Sequence, residues 1–562
     1  MKDLIEDVVR KYALKNAKEY GKAEIPAVIG KVIAEIPNAK AEIAQLMPTI
    51  KKVVDQVNSL SYEQIEQELA KYSFEEKKVE KRKVRLPPPT DIVVTRFAPE
   101  PSGYLHLGHA KAVFLAHEAA KEYRGKFYLR FDDTNPELAK QEYVDAIKRD
   151  LNWLGIGWDA EESTSDFMEL FYDYALELIK KGRAYVCECT PELIKLNRRE
   201  RKECSCRNKV IKPNVSDLEK MVGDEFAEGR AILRFIGNMK SHNTVMRDPT
   251  LMRIVKKEHF RHGDKYVAWP TYDFATPILD SMRGITHAMR SKEYELRDEL
   301  YFDILDILGL QKPQIVSFSR LEIKNNPTSK RVLRELVQKR IVDGWDDPRL
   351  LTIQGLRRRG YLPNIIKEFA LSFGIGKSES KEATLEPLLV ESRKQFDPTA
   401  KRLYFVKDPI VLEIKDLKKN ATIPFHPDKD LGSREFEVDG KVFVDKDDIE
   451  VGGTVRLKDL CSVKIEKRDK GSAQASVVET DELPNKKIQW VPFDKFTRAE
   501  VLKPGDLLDG DKINKNNLAK FEGYVEKSAE ELKENEIVQF IRFGFVKLDK
   551  KDGEKLTFIF TA

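Results

Sequence analysis

Three observations predict a multidomain α/β protein. Residues 1–72 read as helices only, strand-like and helical stretches alternate from about residue 91, and short strand-like runs dominate from about residue 396. At 562 residues the chain exceeds what one hydrophobic core supports, so three to five domains are expected.

The first helix is read from Leu4, Ile5, Val8, Val9 and Tyr12, which recur at helical spacing. This N-terminus is charged throughout and lacks the apolar centre of a signal peptide. The composition is 41% hydrophobic, without a run long enough to span a bilayer, so a cytoplasmic protein with no membrane partner is expected. After the helical domain over 1–72 comes the charge run EEKKVEKRKVR and then Pro87, Pro88 and Pro89, which predict a linker over 73–90.

Ile92, Val93 and Val94 then open a strand, followed by a Pro/Gly-rich loop and the helical stretch HAKAVFLAHEAAKEY. The strand-like KFYLRF follows, then the turn DDTNP, then a helix with Val144, Ile147, Leu151 and Leu154 on one face. Pro136 is expected to start that helix and Gly155 to stop it. Strand–helix–strand–helix order implies a parallel sheet covered by helices. Beyond 396, runs such as PIVLEI, REFEVDGKVFV, IVQFIRFGFVKL and KLTFIF predict one or two antiparallel barrels, with a hairpin turn at Asp439-Gly440.

The 99 basic and 94 acidic residues leave a net charge of only +5. A nucleic-acid surface would therefore be a local patch rather than a global field. Arg357-Arg358-Arg359 fits either such a patch, along a phosphate backbone, or a solvated helix face.

His106-Leu107-Gly108-His109 falls where the first strand meets the first long helix, the place where open α/β sheets bind phosphates. Gly108 lets a nucleotide approach the backbone, and the imidazoles are placed to donate to phosphoryl oxygens as charge builds. Alone, the two histidines read equally well as helix caps. Further on, Ser317-Phe318-Ser319-Arg320-Leu321 ends a short apolar run, and nine residues beyond Leu321 comes Lys330 within Thr328-Ser329-Lys330-Arg331. A mobile lysine there neutralises a pyrophosphate leaving group; the plainer reading is a solvated basic loop.

Together these residues resemble the glutamyl- and glutaminyl-tRNA synthetases of class I. Arg96 to His109 looks like the first signature of that family. LRFDDTNP (129–136), WPTYDF (269–274), GITH (284–287) and GWDDPR (344–349) match further blocks, in order, from about residue 90 to 375. One departure is that Pro327-Thr328 stands before Ser329-Lys330, where the family has an apolar residue before Ser-Lys.

The resemblance implies a Rossmann-type catalytic core over 91–185 and 269–332, split by an inserted acceptor-binding domain over 186–268. A helical connector over 333–395 and anticodon-binding barrels over 396–562 would follow. It implies a glutamate–tRNA ligase of the archaeal type, which forms glutamyl-adenylate from ATP with Mg2+ and passes the glutamyl group to tRNA(Glu). It leaves tRNA(Gln) open as a second acceptor, and a monomer is expected. His106, His109 and Lys330 would be catalytic, and Pro99, Gly108, Arg320 and Leu321 would complete the ATP site. Asp132 would hold the α-ammonium of glutamate, with Arg96 and Tyr272 reaching its side chain. Arg290 would select glutamate, because a guanidinium pairs bidentately with a carboxylate and offers no acceptor to an amide NH₂. The plainer reading of Arg290 is a surface arginine at the end of a helix, and the alternatives for the chain are a glutaminyl enzyme, a tRNA-nucleoside modifier and a non-catalytic tRNA-binding paralogue, which would be expected to lose the histidines or the lysine.

Four of the five cysteines form two Cys-x-Cys pairs, Cys187/Cys189 and Cys204/Cys206, fourteen residues apart. Four thiolates suit a structural Zn2+, and some relatives carry zinc near this place; buried free thiols or a redox pair are the other readings. Cys461, alone in a strand-like segment, is expected to be a small buried residue.

Overall fold

Burial follows the spacing at the N-terminus: Ile5, Val8, Val9, Ala13 and Leu14 line the inner face of helix α1 (Lys2–Tyr20). They pack on Val28 and Val32 of α2 (Ile25–Glu35), on Ile50, Val53, Val54 and Val57 of α3 (Ile43–Asn58), and on Ile65 of α4 (Tyr62–Leu69). These helices belong to a compact unit over Met1–Lys81, and Arg82–Ala562 form a second. The computed structural model describes all residues except 1, 21–22, 37–42, 61, 70, 73–83, 85, 87–91, 377–382, 480–483 and 485. Apart from Val84 and Leu86, the expected linker over 73–90 lies outside the described residues. Among the described residues no helix is long and apolar enough to cross a membrane.

The second unit opens on β1 (Val94–Phe97), α5 (Leu107–Glu122), β2 (Lys126–Phe131), α6 (Gln141–Trp153) and β3 (Ala160–Ser163). The three strands are parallel, in the order β1-β2-β3. α6 starts five residues after Pro136, because residues 132–140 first fold back on the preceding loop, with Asp132 N donating to Pro99 O and Lys140 N to Pro101 O. After α7 (Met168–Lys180) comes the antiparallel sheet β4 (Ala184–Cys187), β5 (Ile232–Phe235), β6 (Thr250–Ile254) and β7 (Ala268–Pro270), with α8 (Pro191–Glu200) and α9 (Ile211–Val222) inserted between β4 and β5. One side of this sheet shares its core with the neighbouring helices: Leu233, Leu251, Met252 and Trp269 lie in one buried cluster with Phe171 of α7, Phe274 of α10 (Tyr272–Met282) and Leu300 of α11 (Asp298–Leu308), while Tyr185, Cys187 and Cys204 form a smaller cluster of their own.

β8 (His287–Ser291) and β9 (Gln314–Phe318) form a separate parallel pair. It is set beside β1 by Thr286, whose N–H donates to Val94 O at 3.0 Å. The carboxyl ends of β1, β2, β8 and β9 therefore open on one side, where such sheets bind ligands. α12 (Lys330–Gln338) leads into the connector helices α13 (Ile353–Arg359), α14 (Pro363–Leu371) and α15 (Glu386–Phe396).

Two seven-stranded sheets follow, mainly antiparallel, each with two parallel pairs. Asp439-Gly440 does not turn a hairpin. The strand Ser433–Asp445 runs straight through it, and Gly440, at φ +69°, sits where the register shifts between Glu413 and Lys418 of the facing strand, as in a β-bulge. Cys461 is buried in this first barrel.

The arginine triplet does not form one face: Arg357 is exposed, Arg358 half-buried and Arg359 buried. Arg357 lies over the Trp153 ring, Arg358 pairs with Asp549 at 2.8 Å, and Arg359 is buried against Tyr361. A second contact ties the far barrel to the loop before α12. Asn325 and Asn326 each donate a side-chain N–H to Asp506 at 3.0 Å, and Leu507 fills an apolar cluster with Leu333, Leu336, Val342 and Leu350.

Candidate active site

A cavity of about 810 Å³ opens at the carboxyl ends of the parallel strands. Its lining brings together every expected ATP and glutamate residue: Arg96, Pro99, His106, Gly108, His109, Asp132, Tyr272, Arg290, Arg320, Leu321 and Lys330. Arg198, Val245 and Thr250, from the β4–β7 region, close one side.

The histidines occupy the first turn of α5 as a reciprocal cap. His106 Nδ1 accepts from Gly108 N at 3.1 Å, and His109 Nδ1 accepts from His106 N at 3.2 Å. With both Nδ1 atoms serving as acceptors, the neutral rings carry their proton on Nε2, as donors. Burial, with Lys330 and Arg320 nearby, lowers His106 to about 3, and burial with His106 alongside holds His109 well below the usual imidazole range. Their backbone is pinned to the connector, Leu107 N donating to Leu351 O and Ile353 N to Leu105 O, both at 2.9 Å. A Cβ on Gly108 would lie 3.0 Å from the His106 ring, which explains a glycine between the two.

Lys330 caps the opposite wall. Its Nζ donates to Glu100 O at 2.9 Å and to Ser102 Oγ at 3.1 Å, while Arg334 donates to Ser102 O. Ser329 takes the helix-cap position ahead of it, and Thr328 is buried, so Pro327-Thr328 is accommodated without displacing the lysine from the cavity. Arg320 extends to Glu293 at the rim.

Arg96 is braced by the scaffold at the cavity wall. Its Nε and Nη2 donate to the two carboxylate oxygens of Asp280 at 3.0 and 2.9 Å, and Nη1 donates to Met289 O. Arg130 and Tyr301 converge on the same Asp280. Burial alone would raise that carboxyl, but Arg96 and Arg130 hold it below the usual range. Arg290 differs. It is buried, rests over the Tyr301 ring at 4.9 Å and pairs through Nη2 with Asp298, with Tyr272 beside it, while its Nε and Nη1 have no close hydrogen-bond partner among the described residues. A buried guanidinium with open donors in a cavity is a seat for an anion. Asp132 is the complementary case: burial, with Glu100 and Asp133 close by, raises its carboxyl to about 7, so a cation is wanted there.

Sequence reasoning missed three supporting groups: Asp280, Asp298 and Lys111. Lys111 is buried and donates to Ser319 O at 2.6 Å and Ser319 Oγ at 3.1 Å, anchoring the strand end that presents Arg320 and Leu321. The position of Lys111 two residues after His109 was the one available signal for it.

The four cysteines meet at the mouth of β4, with all four sulfurs within 4.8 Å of one another. The Cys187–Cys204 and Cys189–Cys206 separations are 3.8 and 3.9 Å. Tetrahedral thiolates on ~2.3 Å bonds stand ~3.8 Å apart, so the spacing fits zinc. Arg234 Nη1 points at both Cys187 and Cys204 Sγ, as an outer donor to thiolate charge.

Residues 92–397 match the family described as tRNA synthetases class I (E and Q), catalytic domain. Residues 400–481 and 487–549 match two models of the anti-codon binding domain of the same class. The chain is 42% identical to a glutamate–tRNA ligase of Nitrosopumilus maritimus, over 98% of this chain and 99% of that one. It is 39% identical to those of Sulfurisphaera tokodaii and Pyrococcus furiosus, over 99% of each chain.

Proposed function

Since the chain belongs to the class I tRNA synthetases for glutamate and glutamine, with catalytic and anticodon-binding parts both present, we infer that it joins L-glutamate to tRNA(Glu) through a glutamyl-adenylate. The observation that carries the choice of amino acid is Arg290 on the cavity wall, whose buried guanidinium keeps two nitrogens without a close partner among the described residues. A γ-carboxylate completes that ion pair, whereas the amide of glutamine leaves the charge without a counter-ion, at a cost of about 3–5 kcal/mol.

The first step follows from the lining. The α-ammonium settles on Asp132 and supplies the positive charge that its raised carboxyl lacks. The α-carboxylate oxygen attacks the α-phosphorus of ATP, the bond to the bridging oxygen breaks, and pyrophosphate leaves. His106 and His109, neutral and donating from Nε2, stabilise the phosphoryl oxygens as negative charge builds. Lys330 leaves its contacts with Glu100 and Ser102 to neutralise the departing pyrophosphate. Mg2+ accompanies the triphosphate, as the family implies. In the second step a terminal ribose hydroxyl of tRNA attacks the acyl carbon and AMP leaves. Arg198 and Thr250 flank the side on which that end would enter.

The four cysteines support a structural zinc remote from the chemistry, holding β4 to the segment after α8. A monomer and the use of tRNA(Gln) as a second acceptor belong to the same reading. Light scattering on the purified protein decides the first. Charging of purified tRNA(Glu) and tRNA(Gln) with labelled glutamate, and separately glutamine, decides the second and tests the whole. Glutamate on tRNA(Glu) is the expected product; glutamine charging would overturn the role given to Arg290.

A further inference from the structure

We propose that Asp298 is a positioning residue for amino-acid selection, holding Arg290 by one nitrogen so that its remaining donors face the substrate. The inference rests on the reading that Arg290 binds the γ-carboxylate. Three constraints define the guanidinium. Its face lies on the Tyr301 ring, Nη2 is taken by Asp298, and Nε and Nη1 have no close partner among the described residues. A guanidinium carries five N–H hydrogens in a planar fork, so one anchored nitrogen fixes the direction of the others. Arg96, on the same cavity wall, is fixed differently: three of its five N–H hydrogens are engaged by Asp280 and Met289 O, which leaves one each on Nη1 and Nη2.

The charge argument agrees with the geometry. Arg290 is almost wholly buried, and an unpaired guanidinium there would be costly in the empty enzyme. Asp298, with 31% of its side chain exposed, supplies the counter-charge from the solvent side and leaves the cavity side open. Its place is set by the fold. It is the first residue of α11, directly after the 3-10 helix Lys292–Arg297 that follows β8. That short helix is braced from the β4–β7 region by Asn243, whose Nδ2 donates to Leu296 O at 2.8 Å and to Glu299 Oε2 at 3.0 Å. Arg297 pairs with Asp273 on its other side. The orientation of Arg290 thus depends on residues that never touch the amino acid.

The test measures steady-state charging of tRNA(Glu) by the full-length enzyme and by Asp298→Asn, Asp298→Glu and Arg290→Ala, with thermal midpoints for each. Asp298→Asn should raise KM for glutamate about tenfold and leave KM for ATP unchanged, and Asp298→Glu should recover most of the loss. An unchanged glutamate KM in Asp298→Asn, with Arg290→Ala inactive on glutamate, would overturn the role of Asp298 alone. Undiminished charging by Arg290→Ala would instead overturn the reading of Arg290 beneath it. Equal rises in the glutamate and ATP constants, with a lowered thermal midpoint, would mark Asp298 as merely structural and also reject the proposal.

Discussion

Asp506 accepts a hydrogen bond at 3.0 Å from Asn326, which stands four residues before Lys330. A residue of the far barrel thereby holds the loop that leads to Lys330, the lysine proposed to meet pyrophosphate, and the neighbouring Leu507 seats under α12. Asp506→Ala should lower the charging kcat several-fold with little change in KM for glutamate, since the loop loses two side-chain hydrogen bonds of ~1 kcal/mol each. Equal kcat values for mutant and parent would show that the loop is positioned without this contact.

His109→Ala should cost about 10²–10³ in kcat, the range seen when one donor to a developing oxyanion is removed. Burial lowers His106 to about 3 and holds His109 well below its usual value, so both rings stay neutral through the ordinary imidazole range. The parent enzyme and a partly active Gly108→Ala variant should accordingly show no imidazole inflection in kcat over that interval. A group titrating near 6.5 in kcat, lost on replacing either histidine, would contradict the neutral-donor assignment.

Asp132 leads to the opposite expectation for binding. Its carboxyl is raised to about 7, and only the ionised form attracts the α-ammonium. Affinity for glutamate should therefore rise as pH increases through about 7 and level off above it. In Asp132→Asn the glutamate KM should be much higher and flat with pH. A pH profile identical in parent and mutant would remove Asp132 from the ammonium site.

For the cysteine cluster the measurement is metal content on protein purified without chelator. One zinc per chain is expected in the parent, and Cys204→Ser should lose it together with a fall of several degrees in the thermal midpoint. A metal-free parent of unaltered stability would leave the four thiols as packing.

Asp280→Asn should be the most damaging change near the cavity that touches neither substrate. It removes the counter-ion shared by Arg96 and Arg130, both nearly inaccessible to solvent, and such losses cost about 3–5 kcal/mol. Denaturant unfolding followed in parallel with charging would reveal it, and a midpoint equal to the parent's would refute it.

Short-range chemistry made much of this legible in advance. The alternation of KFYLRF and the punctuation around His106 placed strand and helix to within a few residues, because the signals lie within one turn of the chain. The long-range partners were not legible. Nothing local to Arg96 indicates that Asp280, far along the chain, will engage its fork, and nothing in the Arg357–Arg359 run announces Asp549. Asp439-Gly440 misled because its turn chemistry serves a register shift in one long strand, an outcome decided by the facing strand. Pro136 misled likewise, since Leu138 and Ala139 turn back on Asn135 O and Lys140 is held by Pro101 O before the helix can begin.

The core shared by the β4–β7 sheet with α7, α10 and α11 sets the unit in which this molecule can be exchanged with its relatives. A chimaera joined at the ends of that sheet would strand Leu251, Met252 and Trp269 against foreign helix faces, with both halves losing their fill. Recombination that respects the buried cluster has to carry the whole stretch from α7 to α11 as one block. The β4–β7 sheet and the stretch of cavity wall that carries Arg290 are thus inherited together.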